Sequence, residues 1–492
     1  MEKLLQTDWR LLATVSLPIL IPFVSGLAFV TAAPFSRKRL SRLWVPLSLL
    51  AVAVSFGSAW REWLFGTTIG AGMLLFDRMA YSFDLVFLIA ALLTIFLSKN
   101  FLSQEKIREG EYYALLLFAV AGSMLVAHGG DLIVIFLGIE IVSLANYILA
   151  GMKRGAVRSY EAALKYFILG SFASGFLLYG IAMAYGATGS TSLAAFQGLT
   201  LPLAEPTLLL LAVALLLIGI GFKIAAVPFH LWSPDVYEGA PTSITAFMAS
   251  VVKVAGFAAL VRIAIALGHI PEIPWTSILW ALSALTMTVG NLAALRQTNI
   301  KRMLAYSSIA HAGYALVGIT AALQKNALTE STIAAVLFYL FAYSLMTIGA
   351  FAVVIALGRR GDEAEEMSDL SGLAERHPLL AAAMAVFMFS LTGIPPTIGF
   401  VGKFYLFSGA IEAELYGLVV VGVLNSVVSA YYYLGPIIKM YFQKERGFAL
   451  PPLSYSLVAG IFVCLFAVLY LGIFPSELFL LARESVREVV MP

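Results

Sequence analysis

The chain has 492 residues, 61% of them hydrophobic and only 12% charged, with a formal net charge of +3. Soluble domains are about half apolar and about a quarter charged, so this composition excludes a soluble enzyme and describes a polytopic membrane protein. The small net charge gives no electrostatic footprint for nucleic acid, and the single cysteine, Cys464, excludes an internal disulfide or a thiolate cluster.

Membrane helices need about 20 apolar residues each. In chain order, that rule places spans at 11–33, 43–60, 79–98, 112–129, 131–152, 160–186, 207–231, 241–268, 275–295, 302–323, 330–358, 379–409, 415–440 and 453–474. The sequence therefore predicts an all-α polytopic membrane protein of about 14 transmembrane helices. The first stretch is long and lacks a small-residue cleavage site, so it reads as a retained span rather than a signal peptide. The fourth and fifth spans are joined only by "HGGD", a tight turn. "LPLAEP", between the sixth and seventh, is a short connector. "GRRGDEAEEMSDLSGLAERHP", between the eleventh and twelfth, is the most polar stretch and reads as a solvated loop.

Orientation follows from Lys and Arg in the loops. The side carrying "RKRLSR" holds 19 of the 31 Lys and Arg at its loops and helix ends, and the opposite side, with both termini, holds 7. This places both termini on the outer side of the membrane. Five more fall within spans: Lys165, Lys223, Lys253, Arg262 and Lys403.

The seventh span, "LLLIGIGFKIAAVPFHLW", and the twelfth, "FMFSLTGIPPTIGFVGKFYLF", each combine proline with a lysine. Proline in a helix interior breaks the hydrogen-bond ladder, so both helices are expected to be broken. An offset of five spans reverses direction across the membrane, as in an inverted-topology repeat. Three helices at 1–110 would then precede a first five-helix unit at 111–270 and a second at 271–441, with a final helix in 442–492. The carbonyls freed at each break must be met by protein or water. A nearby lysine can donate to them.

A charge at the bilayer centre costs about 2.5–3.5 kcal/mol on insertion scales, so such residues face an interior or a water-filled cavity and mark functional sites. Glu140 lies near mid-span and is the one deep carboxylate in this reading. Lys165, Lys223 and Lys253 share its five-helix unit, and Lys403 lies in the other. Either the glutamate and a lysine form a structural ion pair, or the set relays protons. Shifting a lysine from about 10.4 to near 7 amounts to roughly 4–5 kcal/mol, and driving one proton against 150–200 mV costs about 3.5–4.6 kcal/mol. The two are comparable, so such a row can be coupled to a membrane potential without a cofactor. His230 is either a local cap at the break or a member of the proton path. His311, mid-span, is either a core histidine or a relay. Arg262 is expected to snorkel to the interface, Asp84 to be interfacial, and His128 and His269 to be surface groups. The histidines show no metal-ligand spacing, and phosphate-loop, dinucleotide and nucleophile-elbow motifs are absent from the sequence.

Four stretches carry a family resemblance: "SYEAALKYFILGSFASGFLLYGIAMAYGATGST", "FKIAAVPFHLWSPDVYEGAPTSITAFMASVVKVAGF", "IKRMLAYSSIAHAGYALVG" and "SDLSGLAERHPLLAAAMAVFMFSLTGIPPTIGFVGKFYLF". Together they resemble the antiporter-like membrane-arm subunits of bacterial NADH-quinone oxidoreductase, respiratory complex I, and within them the N type more than the M or L types. The resemblance implies a proton-translocating translocase subunit of fourteen helices in two inverted repeats. It implies a proton path through Glu140, Lys165, Lys223, Lys253 and Lys403, to which the sequence adds His230 and His311. It further implies no redox centre in this chain, with NADH, FMN, iron–sulfur clusters and quinone in partner subunits. The expected partners are other membrane-arm subunits, the lipid bilayer and protons, and the expected location is the bacterial inner membrane with both termini periplasmic. A cation/proton antiporter subunit on the same fold and a free-standing solute transporter are the competing readings. Sodium would favour oxygen ligands, and a solute would favour a polar midplane site.

Overall fold

A computed structural model of the chain describes residues 9–35, 43–66, 68–199, 205–324, 330–358, 363, 365–444 and 452–490. The "RKRLSR" loop and most of "LPLAEP" lie outside the described residues.

The chain is a sequence of long helices. α1 spans Trp9–Ala32 and α2 Trp44–Phe65, followed by a hairpin of β1, Ile69–Ala71, and β2, Leu74–Phe76. Then come α3 Arg78–Gln104, α4 Glu109–Ala127, α5 Leu132–Ala150 and α6 Val157–Thr188. α7 is in two pieces, Pro206–Ile224 and Trp232–Gly239. α8 runs over Thr242–Leu267, α9 over Trp275–Ala294, α10 over Ile300–Ala322 and α11 over Glu330–Leu357. α12 is again in two pieces, Pro378–Thr392 and Ile398–Glu412. α13 Tyr416–Phe442, α14 Tyr455–Ile473 and α15 Ser476–Val490 complete the chain. Among the described residues, 11 helices are long and apolar enough to cross a membrane. The other expected spans correspond to α2, α10 and the two pieces of α12.

Local chemistry sets the helix starts. Asp77, Asp131 and Asn299 accept from backbone N–H groups in the first turns of α3, α5 and α10 at 2.8, 2.8 and 3.0 Å, satisfying donors that an isolated helix end leaves open. The "HGGD" turn does form between α4 and α5. The hairpin lies across it: Leu75 N–H donates to His128 O and Gly130 N–H to Met73 O. A Cβ at Gly130 would come within 2.8 Å of Leu75 Cγ, so the close approach requires glycine there.

α8 and α11 occupy the centre and are almost wholly buried. α8 is not a uniform helix. Met248–Val252 forms one π turn immediately before Lys253, a local insertion of the kind often found at functional sites.

Both expected breaks are present. At the first, Ala225 takes a left-handed φ of +56° and the Val227–Pro228 bond is cis. The carbonyl of Phe222 is met by the Trp232 indole at 2.9 Å and that of Gly221 by Ala226 N–H at 2.8 Å. At the second, Gly393 takes φ +93° and Pro395–Pro396 is cis.

Three expectations near helix ends are overturned. Arg262 does not reach the interface: it is 3% exposed. Its guanidinium holds both oxygens of Asp77 at 2.6 and 2.8 Å, and its Nε donates to Ala127 O. Asp84 is not interfacial and His128 is not a surface group. Both are fully buried, and they are joined by a 2.8 Å hydrogen bond. His269 is half-buried. Position along a helix says how deep a residue lies, not what packs over it, and here the hairpin and α3 close over these groups. α15 was not expected. It lies against α3 and α11, where Arg483 pairs with Glu330 at 2.8 Å and Ser485 accepts from the Trp63 indole.

Removing the Arg262 guanidinium would strand Asp77 as a buried charge, which costs about 3–5 kcal/mol. Arg262→Met is expected to deplete folded protein in membranes sharply. Arg158→Met, at a side chain 72% exposed, is expected to change it little. Membrane yield and thermal unfolding in detergent measure both, and equal losses would contradict the buried-pair assignment.

Candidate functional site

Lys223 lies in the last turn of the first piece of α7 and is 4% exposed. Its Nζ donates to Ser143 Oγ at 2.8 Å and stands over the rings of Phe222 and Tyr147. The expectation that it would hold the freed carbonyls of the break is wrong, because Trp232 and the backbone take that part. Glu140 sits one turn before Ser143 on α5 and accepts from Ser174 Oγ. Among the described residues no direct ion pair joins Glu140 to Lys223. Glu140 is partly exposed, on the same face of α5 as the exposed Leu137 and Leu144. It is thus less buried than Asp77, Asp84 or Glu363, although its place along α5 remains near mid-span. Helix rotation, which hydropathy does not encode, turns it outward.

Lys253 is 2% exposed. It donates to the carbonyl and hydroxyl of Ser308 on α10. One turn on, the His311 ring joins two tyrosines: Nδ1 lies 2.7 Å from Tyr339 OH and Nε2 3.1 Å from Tyr433 OH. Tyr433 OH in turn meets Ser307. Tyr343 closes the gap between Lys253 and His311, its ring 5.7 Å from Lys253 Nζ and 5.1 Å from the imidazole.

Lys403 does meet the freed carbonyls of its break. Its Nζ donates to Thr392 O at 2.8 Å and Leu391 O at 3.2 Å, and it stands 4.4 Å over the Tyr314 ring. It also reaches Ser426 Oγ at 3.4 Å. The ammonium forms part of the floor of an apolar groove of about 480 Å³ between α12 and α13, with Phe404 and Val427 at its rim.

Two expected members stand apart. Lys165 is an exposed ion-pair partner of Glu161 and Asp235, each at 2.7 Å. His230 is half-buried beside the break. Among the described residues neither hydrogen-bonds to Lys223 or Lys253. Lys165 is tied to the broken helix directly through Asp235, in the second piece of α7, and through its neighbour: the Tyr166 ring stacks on Trp232 at 4.5 Å.

Tyr314, Tyr339, Tyr343 and Tyr433 and the hydroxyls of Ser143, Ser174 and Ser308 were not singled out in the sequence. A tyrosine in a span looks the same whether it is buried or belongs to an interfacial belt, so no local signal marks them.

The side carrying most Lys and Arg closes with ion pairs. Glu363, in the polar connection between α11 and α12, is buried, so this part of the segment is not a solvated loop. Its carboxylate meets Lys153 at 2.9 Å, Lys301 at 3.4 Å, and the N–H and hydroxyl of Thr242. Burial alone would raise its pKa. The charges of Lys301 and Lys153 and the hydrogen bonds from Thr242 and Lys153 outweigh burial and hold it at about 2. Alongside, Arg302 holds Asp235 at 2.7 Å and Glu238 at 2.9 Å. A polar cleft of about 520 Å³ opens between Glu363, Glu238 and Arg158. Among the described residues, no group of three or more His, Cys, Asp or Glu is placed to hold a metal ion.

Residues 129–429 match the family model for transmembrane proteins of NADH:quinone oxidoreductases and Mrp antiporters. NADH-quinone oxidoreductase subunit N of Trichlorobacter lovleyi is 44% identical over 487 residues, covering 97% of this chain and 98% of its own. A chain of respiratory complex I from Thermus thermophilus with bound aureothin is 36% identical, with a TM-score of 0.81 over 95% of this chain and 99% of that one. A chain of the Mrp complex from a Dietzia species shares the fold, with a TM-score of 0.81 at 21% identity and 98% coverage of each.

The Glu363 carboxyl falls from an ordinary 4.5 to about 2. Its ionised form therefore contributes stability that is fully present above about pH 4.5 and is lost as pH falls through about 2. The shift corresponds to about 3 kcal/mol. Glu363→Gln is expected to lower the melting temperature of the detergent-purified protein by the same amount from pH 8 to 5. The difference should shrink below pH 4.5. A difference that grows on acidification would show that the carboxyl is not held down by its lysines.

Proposed function

The chain belongs to the transmembrane family of NADH:quinone oxidoreductases and Mrp antiporters, and from that premise we propose that it acts as the N-type subunit of a respiratory NADH-quinone oxidoreductase. In this reading it carries protons across the membrane while quinone is reduced elsewhere in the complex. NADH, flavin, iron–sulfur centres and quinone belong to partner subunits. The chain lies in the bacterial inner membrane among the other membrane-arm subunits, with both termini periplasmic and α4–α8 and α9–α13 acting as two inverted units.

One observation carries the proposal. Three buried lysines donate to neutral oxygens, with the His311–tyrosine cluster between the second and the third. An ammonium that rests on serines and carbonyls has no counter-ion to lose when it gives up its proton. Lys223, Lys253 and Lys403 are therefore the proton-holding groups, and His311 links Lys253, through Tyr343, to the Lys403 side, through Tyr314, whose ring lies 5.7 Å from the imidazole. Glu140 is the switch. It lies three residues from Ser143, about 4.5 Å along the axis. A small swing of the Lys223 side chain exchanges the serine for the carboxylate. At about 6 Å and an effective dielectric of 20, that exchange is worth roughly 2–3 kcal/mol, enough to load or unload the lysine. Lys165 enters from the polar end, through its pair with Asp235, and His230 stands at the break beside Lys223.

The cation/proton antiporter reading is supported by the shared fold with the Mrp chain. Among the described residues no group of three or more His, Cys, Asp or Glu forms an oxygen cage for it: beside Glu140, the groups at depth are lysines, a histidine and tyrosines, which suit protons. A free-standing transporter is disfavoured by the partly exposed Glu140 and the open Lys403 groove, which both await a neighbour.

Lys223→Ala is expected to slow proton-coupled turnover per assembled complex about a hundredfold or more, the low end of what a positioned proton-transfer group supplies. Lys223→Arg is expected to do the same, because arginine keeps the charge but does not discharge. NADH-driven proton uptake by inverted membrane vesicles, normalised to assembled complex, reads both. Full pumping by the arginine variant would reduce Lys223 to a structural donor.

A further inference from the structure

We propose that Glu363 is a positioning residue that clamps the N-terminus of α8, and with it Lys253, to the connection that leads into the broken α12. The inference rests on the reading that Lys253 carries protons.

The clamp is built from both carboxylate oxygens. Oε1 takes Lys153, from the connection between α5 and α6, at 2.9 Å. Oε2 takes the backbone N–H of Thr242 at 3.1 Å and also its hydroxyl. Thr242 is the first residue of α8, so Glu363 meets a helix N-terminus with a negative charge, the favourable sign. Lys301, at the start of α10, reaches the same oxygen at 3.4 Å and also donates to Ala240 O at 2.8 Å. Glu363 and Lys301 therefore grip the corner between the short second piece of α7 and α8 from both sides. The Glu363 connection is itself pinned: Ile300 N–H donates to Glu365 O at 2.7 Å and Met367 N–H to Thr298 O at 2.9 Å.

What the clamp controls follows from the π turn. Thr242 lies eleven residues before Lys253, about 16 Å of helix rise, and Met248–Val252 lies between them. A π turn inserts one residue into the ladder. The height and rotation of Lys253 therefore depend on how the start of α8 is held and on whether the insertion stays in place. Motion of the α11–α12 connection would move the end of α8 directly. The connection leads into α12, so the two lysine-bearing helices are tied at one carboxylate.

The charges around Glu363 allow its role to be separated from that of a filler. Lys153 has a second partner in Glu105 at 2.7 Å, and Lys301 a second in Glu365 at 3.0 Å. Arg158 faces Glu365 and Glu238 at 3.8 and 3.9 Å. Glu363→Gln thus leaves each lysine a carboxylate while removing the charge on α8.

The test is NADH-driven proton uptake by inverted vesicles carrying the whole complex, measured per assembled complex across pH, for Glu363→Gln, Thr242→Val and Lys253→Ala. Displacing a reacting group by ~1 Å can cost ~100-fold, and the rate of Glu363→Gln is expected to fall about tenfold. Removing an anion about 16 Å away lowers the proton affinity of ammonium groups that feel it, so the alkaline limb of the profile should move down by about 0.8 pH unit at an effective dielectric of 20. Thr242→Val loosens the clamp and keeps the charge. It should slow uptake about threefold, a lesser displacement than the charge loss brings, without moving the limb. A wild-type rate and limb in Glu363→Gln would overturn the proposal. If that variant does not accumulate, a wild-type rate in Thr242→Val overturns it. Normal pumping by Lys253→Ala would instead overturn the underlying path and leave the clamp without an object.

Discussion

An ammonium group inside the hydrocarbon core must have something to donate to, and which oxygen it finds decides everything it can do. A carboxylate would hold it as a buried ion pair, stable while intact and costly to break. Water alone would leave it near an open surface. Lys223, Lys253 and Lys403 take a third course and donate to serine hydroxyls and backbone carbonyls. Neutral oxygens satisfy the donor without neutralising the charge. The proton then remains the only thing balancing each site, and a modest change nearby can shift it.

The helix breaks and the π turn belong to the same constraint. A regular helix spends each carbonyl on its own ladder and can offer only the second lone pair, as Ser308 does to Lys253. At α12 the interruption frees Leu391 and Thr392 carbonyls for Lys403. At α7 the freed carbonyls go to Trp232 and the backbone, and Lys223 turns instead to Ser143 on the neighbouring helix. Two breaks that look alike in sequence therefore use their lysines differently. One lysine is bound to its own helix, and the other bridges to α5 within a turn of Glu140.

Full ion pairs are kept to the helix ends. Asp77 with Arg262 closes one side, and Glu363, Asp235 and Glu238 with Lys153, Lys301, Arg302 and Arg158 close the other. There they hold connections to helices and cap helix starts. The division is physical. Paired charges make rigid joints, and unpaired ones make a responsive interior. The open flanks fit a protein with neighbours: Glu140 faces outward from α5, and Lys403 lies beneath a groove between α12 and α13. A solved chain 36% identical to this one belongs to respiratory complex I of Thermus thermophilus.

The sequence by itself determined the class, most of the long apolar helices and the two breaks. Transfer into lipid depends on the composition of a segment, and a proline removes a rung of the helix ladder where it sits, so both are local properties, although α1 and α13 absorb Pro18, Pro22 and Pro436 without a break. Lys223, Lys253, Lys403 and His311 stood out for the same reason: a polar group in an apolar run is visible without knowing its neighbours. Only the tertiary structure decided what each one meets. Lys223 and Ser143 are 80 residues apart, Glu363 and Thr242 are 121 apart, and Arg262 and Asp77 are 185 apart. Those contacts depend on the rotation of each helix about its axis and on what folds over its ends. Hydropathy carries little of that, which is why Glu140 turned outward, Asp84 and His128 turned inward, and a glutamate in the most polar loop became a buried joint.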